Sequence, residues 1–83
     1  MIKLYQRETC PYCKPVRERL TELNISYINI NLPKVREERK QLIDITGNPY
    51  IPSLVDEEIV IPGKEESYKD VLEYINRKFS KHN

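Results

Sequence analysis

The order of the first three elements constrains the fold of this chain more than any other feature. Residues Ile2 to Tyr5 form a short apolar-rich run typical of a strand, and Tyr27 to Asn31 alternates and is rich in isoleucine, which predicts a second strand. Between them, Val16, Leu20 and Leu23 recur at the three- and four-residue spacing of an amphipathic helix. Because two strands joined through a helix pair in parallel with a right-handed crossover, this segment predicts a βαβ unit.

The second half of the chain predicts a different arrangement. We expect Pro33 to open a second helix that continues to about Thr46 and ends at Gly47. Two apolar runs follow, at 53–56 and 59–62, and only two residues separate them. So short a gap permits only a hairpin.

A last helix is expected to begin at Ser67, whose side chain is a suitable N-cap. Its apolar side chains face one side: Val71, Leu72, Ile75 and Phe79. The whole chain therefore predicts an α/β domain with the order β-α-β-α-β-β-α, followed by a loose tail at 81–83.

Size and charge limit the possible functions. The 83 residues suffice for one domain, so we expect a single domain over residues 1–83. The net charge is +1, from 14 basic and 13 acidic side chains, and this balance argues against nucleic acid as the main partner. No apolar run approaches the roughly 18 residues of a membrane span, and the segment after Met1 is polar within three residues. We therefore expect no membrane segment and no signal peptide, and a cytoplasmic monomer.

The chemically most informative residues are Cys10 and Cys13, which form a C-P-Y-C motif between the first strand and the first helix. A nucleophilic cysteine must be a thiolate, whereas a free thiol with a pKa of roughly 8.5 is mostly protonated at neutral pH. Unpaired amides at the start of a helix favour an anion at Cys10, and Arg7 and Lys14 lie close in sequence. The pair predicts thiol–disulfide exchange in which Cys10 attacks and Cys13, one turn later, resolves the mixed disulfide.

The cysteine pair has two alternative interpretations. The motif could be half of a zinc site, but that needs two more ligands, and the chain offers no other cysteine and only His82. The cysteines could also be a chance buried pair. Placement after the first strand of a βαβ unit favours the redox interpretation, and no metal is expected.

Several segments of the sequence together resemble the glutaredoxin family, over essentially the whole chain. The matching segments are Arg7-Glu8-Thr9-Cys10-Pro11-Tyr12-Cys13, Thr46-Gly47, Ile51-Pro52 and the helix opening at Ser67. The resemblance implies the thioredoxin-like fold, with a four-stranded mixed sheet in the order 2-1-3-4 flanked by three helices. It also implies an oxidoreductase that passes electrons from glutathione to disulfides.

The resemblance also assigns roles around the dithiol. Cys10 would be the exposed nucleophile and Cys13 the resolving thiol, and Tyr12 would flank a glutathione groove, unless it is an ordinary packing aromatic. Pro52 would be the family's cis-proline, which exposes the backbone of Ile51 to a substrate. The alternative for Pro52 is an ordinary proline at the start of a strand.

The two ends of glutathione would need separate partners. The segment 62–67 lacks the Gly-Gly of common glutaredoxins, and its Glu66-Ser67 pair resembles the N-terminal domain of glutathione transferases. Glu66 and Ser67 would then hold the γ-glutamyl group. Arg39 would meet the glycyl carboxylate, unless it belongs to a solvated charge run. Arg7 would serve both the thiolate and glutathione.

The predicted function is therefore a glutathione-dependent thiol–disulfide oxidoreductase that reduces protein or small-molecule mixed disulfides. It is expected to use glutathione as reductant without a bound cofactor, and to act on disulfide-containing or glutathionylated proteins. One alternative is a redoxin that thioredoxin reductase reduces and that donates to ribonucleotide reductase. Another is a non-catalytic module that binds glutathione or an iron–sulfur cluster.

Overall fold

The computed structural model describes residues 1–80, so the predicted loose tail at 81–83 lies outside the described residues. These described residues form four strands and three α-helices, with a 3₁₀ turn before the second helix. They are β1 (Ile2–Gln6), α1 (Lys14–Glu22), β2 (Tyr27–Asn31), the 3₁₀ turn (Arg36–Glu38), α2 (Lys40–Thr46), β3 (Ser53–Asp56), β4 (Ile59–Ile61) and α3 (Lys69–Phe79). Among residues 1–80, no helix has the length and apolarity that crossing a bilayer requires.

The four strands form one mixed sheet in the order β2-β1-β3-β4. Strand β1 is parallel to β2 and antiparallel to β3, and β3 is antiparallel to β4. The predicted βαβ unit, hairpin and sheet order are thereby confirmed. Strand β1 lies in the middle of the sheet and ends at Gln6. The cysteine motif follows this strand and therefore lies at one end of the sheet.

Alternation along β1 divides the core between the two faces of the sheet. Leu4 packs on one face against residues of α1 and α3, including Leu20 and Ile75. Tyr5 points to the other face, where Leu42 of α2 and the buried Cys13 join it. The second cysteine is therefore part of a packed core, beside the covering helix α2.

The second helix is shorter than predicted. The predicted helix from Pro33 to Thr46 is wrong for its first half, where a 3₁₀ turn precedes Arg39 and α2 begins only at Lys40. The physical reason is the Arg39 side chain, which donates hydrogen bonds to the carbonyls of Pro33, Lys34 and Pro49 at 2.8, 3.0 and 2.8 Å. These carbonyls are satisfied without helical bonds. The predicted end is confirmed, since Gly47 caps α2 in the left-handed region, with φ of +85°.

The last helix begins later than predicted. Tyr68, not Ser67, occupies the cap position, although the Ser67 hydroxyl accepts a hydrogen bond from the backbone N–H of Lys69 at 3.2 Å. Val71 and Ile75 are buried as predicted. Tyr74 is also buried. Its hydroxyl is satisfied there, since it donates a hydrogen bond to the buried carboxylate of Asp56 at 2.6 Å.

Candidate active site

Two successive backbone turns connect β1 to α1 and carry the cysteines. The N–H of Cys10 donates to the carbonyl of Arg7, and the N–H of Cys13 donates to the carbonyl of Cys10, each at 3.1 Å. Cys13 is the cap residue of α1, and its carbonyl accepts the N–H groups of Val16 and Arg17 at 3.2 and 3.1 Å. Cys10 thus lies one turn before the helix, and Cys13 lies at the point where the helix begins.

The two thiols are free and occupy different environments. Cys13 has no exposed surface, whereas Cys10 is partly exposed. Burial raises the pKa of the Cys13 thiol from its ordinary 9.0 to about 12, against a smaller opposing effect of a backbone hydrogen bond from Arg7. A hydrogen bond with the Cys10 side chain also raises this pKa. Cys13 is therefore a protonated, shielded thiol at neutral pH, and Cys10 is the sulfur that solvent reaches.

Cys10 opens into a groove of about 250 Å³, called here the Cys10 groove. Six residues that the sequence predicted for the site line it: Arg7, Cys10, Tyr12, Arg39, Ile51 and Glu66. Six further residues complete it: Thr9, Pro11, Arg36, Tyr50, Lys64 and Glu65. The groove therefore joins the cysteine turns, the segment before α2, the loop before β3 and the turn before α3.

Pro52 and Ser67 lie behind this groove and do not line it. Both border a narrow cleft beneath the turn before α3. The Ile51–Pro52 peptide bond is cis, as the resemblance implied. In the loop before β3, Tyr50 and Ile51 line the groove.

A close backbone approach holds the loop before β3. The buried hydroxyl of Ser53 donates to the carbonyl of Tyr50 at 2.8 Å and accepts the N–H of Gly63 at 2.7 Å. A Cβ atom on Gly63 would lie 2.4 Å from the Tyr50 carbonyl oxygen and 2.7 Å from that of Pro52. Only glycine fits there without a backbone shift. The turn before α3 and the loop before β3 are thus locked together on one side of the Cys10 groove.

Arg39 lines the groove but is not solvated. The residue is only 5% exposed, and the three carbonyl contacts described above use its guanidinium. Desolvation lowers the pKa of Arg39, and the neighbouring cations Arg7 and Arg36 add to this effect. The alternative prediction of a solvated charge run is therefore wrong for Arg39, and its role towards glutathione stays a prediction.

Arg36, in the segment before α2, also lines the groove. The sequence analysis did not predict it as a site residue. Its guanidinium lies 5.3 Å from the centre of the Tyr50 ring and contacts the carboxylate of Glu65 at 3.3 Å. Arg36 and these two partners come from three separate parts of the chain. No local pattern distinguishes Arg36 from its charged neighbours, so only the fold reveals its position.

Arg17 was also missed, and it supports the cysteine turns from behind. Its guanidinium donates to the side chain of buried Gln6 at 2.6 Å and to the carbonyl of Arg7 at 3.3 Å. The Arg7 carbonyl also accepts the N–H of Cys10. Arg17 therefore fixes the backbone that carries Cys10. Arg17 adjoins the apolar Val16 in α1, and nothing in the local sequence indicates this contact.

Comparison with known proteins agrees with this geometry. The family model described as Glutaredoxin matches residues 2–61. A curated relative, an uncharacterized glutaredoxin-like 8.6 kDa protein in the rubredoxin operon of Clostridium pasteurianum, is 31% identical over 62 residues, which are 74% of this chain and 83% of the relative.

Solved structures share the fold. The buckwheat glutaredoxin–glutathione complex superposes with a TM-score of 0.71 at 20% identity, over 95% of this chain and 72% of that one. Glutathione transferase E6 from Drosophila melanogaster gives a TM-score of 0.76 at 18% identity, over 99% of this chain but only 36% of the transferase. The second comparison places the similarity in one part of a larger protein.

Proposed function

The chain belongs to the glutaredoxin family of thiol–disulfide oxidoreductases, and from this premise we propose that it reduces mixed and protein disulfides with glutathione as the electron donor. The observation that supports the roles of the two cysteines is their unequal burial, with Cys10 in the groove and Cys13 behind it. A reducing cytoplasm, where glutathione is kept reduced, is the setting that this chemistry requires.

The first half-reaction takes place at Cys10. Its thiolate attacks a glutathionylated substrate at the glutathionyl sulfur, an S–S bond forms between Cys10 and glutathione, and the substrate leaves as a thiolate. A second glutathione thiolate then attacks this mixed disulfide. It releases oxidised glutathione and restores the Cys10 thiolate, so the substrate is reduced and two glutathionyl sulfurs end in one disulfide.

Protein disulfides need the second cysteine. After Cys10 forms a mixed disulfide with the protein, Cys13 gives up its proton and attacks the Cys10 sulfur, and the protein leaves as a dithiol. Two glutathione molecules then reduce the Cys10–Cys13 disulfide. Burial raises the pKa of Cys13 and keeps this thiol protonated at neutral pH, which supports first attack by the more exposed Cys10.

The charges of the Cys10 groove suit a tripeptide with two carboxylates and one ammonium group. Arg7, Arg36 and Lys64 bring cations to it, and Glu66 brings a carboxylate that can meet the ammonium group. We assign the γ-glutamyl end to the side of Glu66 and Ser67, and the glycyl end to the segment before α2. The buckwheat protein is a glutaredoxin whose structure contains glutathione, and its fold matches this one.

The decisive experiment compares the two cysteine variants in a glutathione-coupled assay. We expect Cys10→Ser to have no activity, so that glutathionylated and protein disulfide substrates are both reduced only at the uncatalysed rate. Cys13→Ser should retain reduction of the glutathionylated substrate and lose reduction of the protein disulfide. Each variant removes one sulfur and one only, so each serves as the control for the other.

Three outcomes would contradict the proposal. Activity in Cys10→Ser would contradict the role of Cys10. No turnover with glutathione, but rapid reduction by thioredoxin reductase and NADPH, would favour a redoxin that serves ribonucleotide reductase. Visible absorbance of the anaerobically purified protein, without turnover, would favour a cluster-carrying module.

A further inference from the structure

Within residues 1–80, one ion pair joins two segments that line the Cys10 groove and are far apart in sequence. Arg36, in the 3₁₀ turn before α2, contacts Glu65, in the turn before α3, at 3.3 Å between Nη1 and Oε2. Both side chains are about half exposed, at 49% and 58%. A solvent-exposed pair of this kind is weak, so another carboxylate can displace either partner.

Among the groove cations in the part of the chain that the structure describes, Arg36 is the one paired with a carboxylate that also lines the groove. The guanidinium of Arg39 is buried and committed to three backbone carbonyls. Lys64 forms an ion pair at 2.8 Å with Asp70, which does not line the groove. Arg36 lies over the Tyr50 ring, next to Ile51, and its planar fork of five N–H donors can bind a carboxylate in a bidentate manner.

We propose that Glu65 is an internal competitor for Arg36, and that the glycyl carboxylate of glutathione displaces it on binding. This inference rests on the proposed function, since it concerns the same groove. Glu65 thereby lowers the affinity for the reductant, and it discriminates against thiols that lack a carboxylate at this position. It is a specificity-determining residue that the sequence did not indicate.

The backbone around Glu65 makes a substitution there informative. Lys64 and Ser67 pair as a short antiparallel bridge, with Glu65 and Glu66 at the corner of the turn. The left-handed residue of the corner is Glu66, with φ of +53°. Glutamine at position 65 keeps the length of the side chain and the form of the turn, and removes only the charge.

The test measures binding of S-methylglutathione by calorimetry, because this compound keeps both carboxylates and cannot form a disulfide. We expect Glu65→Gln to bind it about threefold more tightly than the wild type, with a similar decrease in the KM for glutathione. The gain should disappear at 1 M salt, where charges are screened within about 3 Å. It should also disappear with S-methylglutathione esterified at the glycyl carboxylate.

Glu37→Gln is the matched control, since Glu37 adjoins Arg36, is exposed and does not line the groove. A gain of equal size in this variant would indicate a general effect of net charge and would overturn the proposal. Weaker binding by Glu65→Gln would also overturn it, because Glu65 would then contact the peptide. In an Arg36→Gln background, Glu65→Gln should have no effect.

The same measurements separate this proposal from the proposed function. If the wild type neither binds S-methylglutathione nor turns over glutathione, both fail. If the wild type does both and Glu65→Gln binds no more tightly, only the competition between the two carboxylates fails.

Discussion

At the scale of single residues, burial makes the two thiols chemically unequal. Cys13 is fully buried with a pKa raised to about 12, whereas Cys10 lies in an open groove. We expect iodoacetamide at pH 7 to alkylate Cys10 and to leave Cys13 unmodified while the protein is folded. Peptide mapping by mass spectrometry checks this, with protein unfolded in urea as the control, in which both cysteines react. Faster labelling of Cys13 would contradict the assigned roles.

The raised pKa of Cys13 also predicts how stability depends on pH. The unfolded thiol ionises near its ordinary 9.0, but the folded thiol keeps its proton up to about 12. Between these values the folded state binds more protons, so the free energy of unfolding falls as pH rises, by at most about 4 kcal/mol from this group. Urea titrations of the reduced protein at pH 7 and pH 10 should show about 1.4 kcal/mol of this loss, because only about one pH unit of the window lies below pH 10. Cys13→Ser should lose less stability over this range, and equal losses would contradict the prediction.

The sequence predicted the two cysteines of the candidate site but not the whole groove. Cys10 and Cys13 stand out because a local pattern, strand then C-x-x-C then helix, has a chemical meaning. Arg36, Tyr50 and Glu65 meet only through the packing of three distant segments, so no spacing marks them.

At the scale of elements, the turn before α3 controls the wall of the groove through one glycine. In Gly63→Ala the new methyl group would collide with the carbonyls of Tyr50 and Pro52, which are backbone atoms that cannot rotate away. We expect stability to fall by about 1 to 3 kcal/mol and kcat/KM for glutathione to fall with it, because Tyr50 and Ile51 line the groove. Thermal unfolding and the coupled assay measure the two effects.

Gly47→Ala is the control, since Gly47 is the only other glycine of the chain. A Cβ there meets nothing within 4 Å, but the φ of +85° disfavours alanine. Its cost should be about 1 kcal/mol of stability, with kcat/KM unchanged in the folded protein. A loss of activity as large as that of Gly63→Ala would contradict the argument from close backbone approach.

The sequence predicted the ends of helices that local chemistry determines. It did not predict the ends that depend on tertiary contacts. Gly47 ends α2 through its own backbone freedom, which the sequence shows. The late start of α2 depends on Arg39 reaching the carbonyl of Pro49, ten residues away. Such a contact exists only in the folded chain, so helical periodicity alone overestimated the helix.

At the scale of the whole molecule, the order of elements predicted the parallel unit and the hairpin from physical rules. The arrangement of these two units in one sheet came instead from the resemblance to a family. In the isolated β1–β2 pair, each strand has a free edge, so β3 could have paired with either one. The alternation of hydrophobic residues does not distinguish these two pairings. The pairing of Leu4 with Leu54 settles this in the structure, and it places Cys10 beside Ile51.

A polar cluster at the opposite end of the sheet joins β3 to α3 and predicts a global effect on stability. The carboxylate of Asp56, only 6% exposed, accepts hydrogen bonds from Tyr74 at 2.6 Å and from Lys78 at 2.5 Å, and Lys78 and then Tyr74 lower its pKa. Asp56→Asn should lower the free energy of unfolding at pH 7 by about 1.5 to 3 kcal/mol, the range for hydrogen bonds to a charged group. Denaturant titration measures it.

The pH dependence and a neighbouring acid provide the checks on this last prediction. Because the folded pKa of Asp56 is lowered, its contribution is complete above the unfolded pKa of about 3.9 and is lost as pH falls through the folded value. The difference between wild type and Asp56→Asn should therefore shrink below about pH 4. Glu57→Gln removes the same charge from an exposed pair with the N-terminus, so it should cost much less stability than Asp56→Asn. Equal costs for the two variants would mean that burial of Asp56 does not set the strength of its contacts.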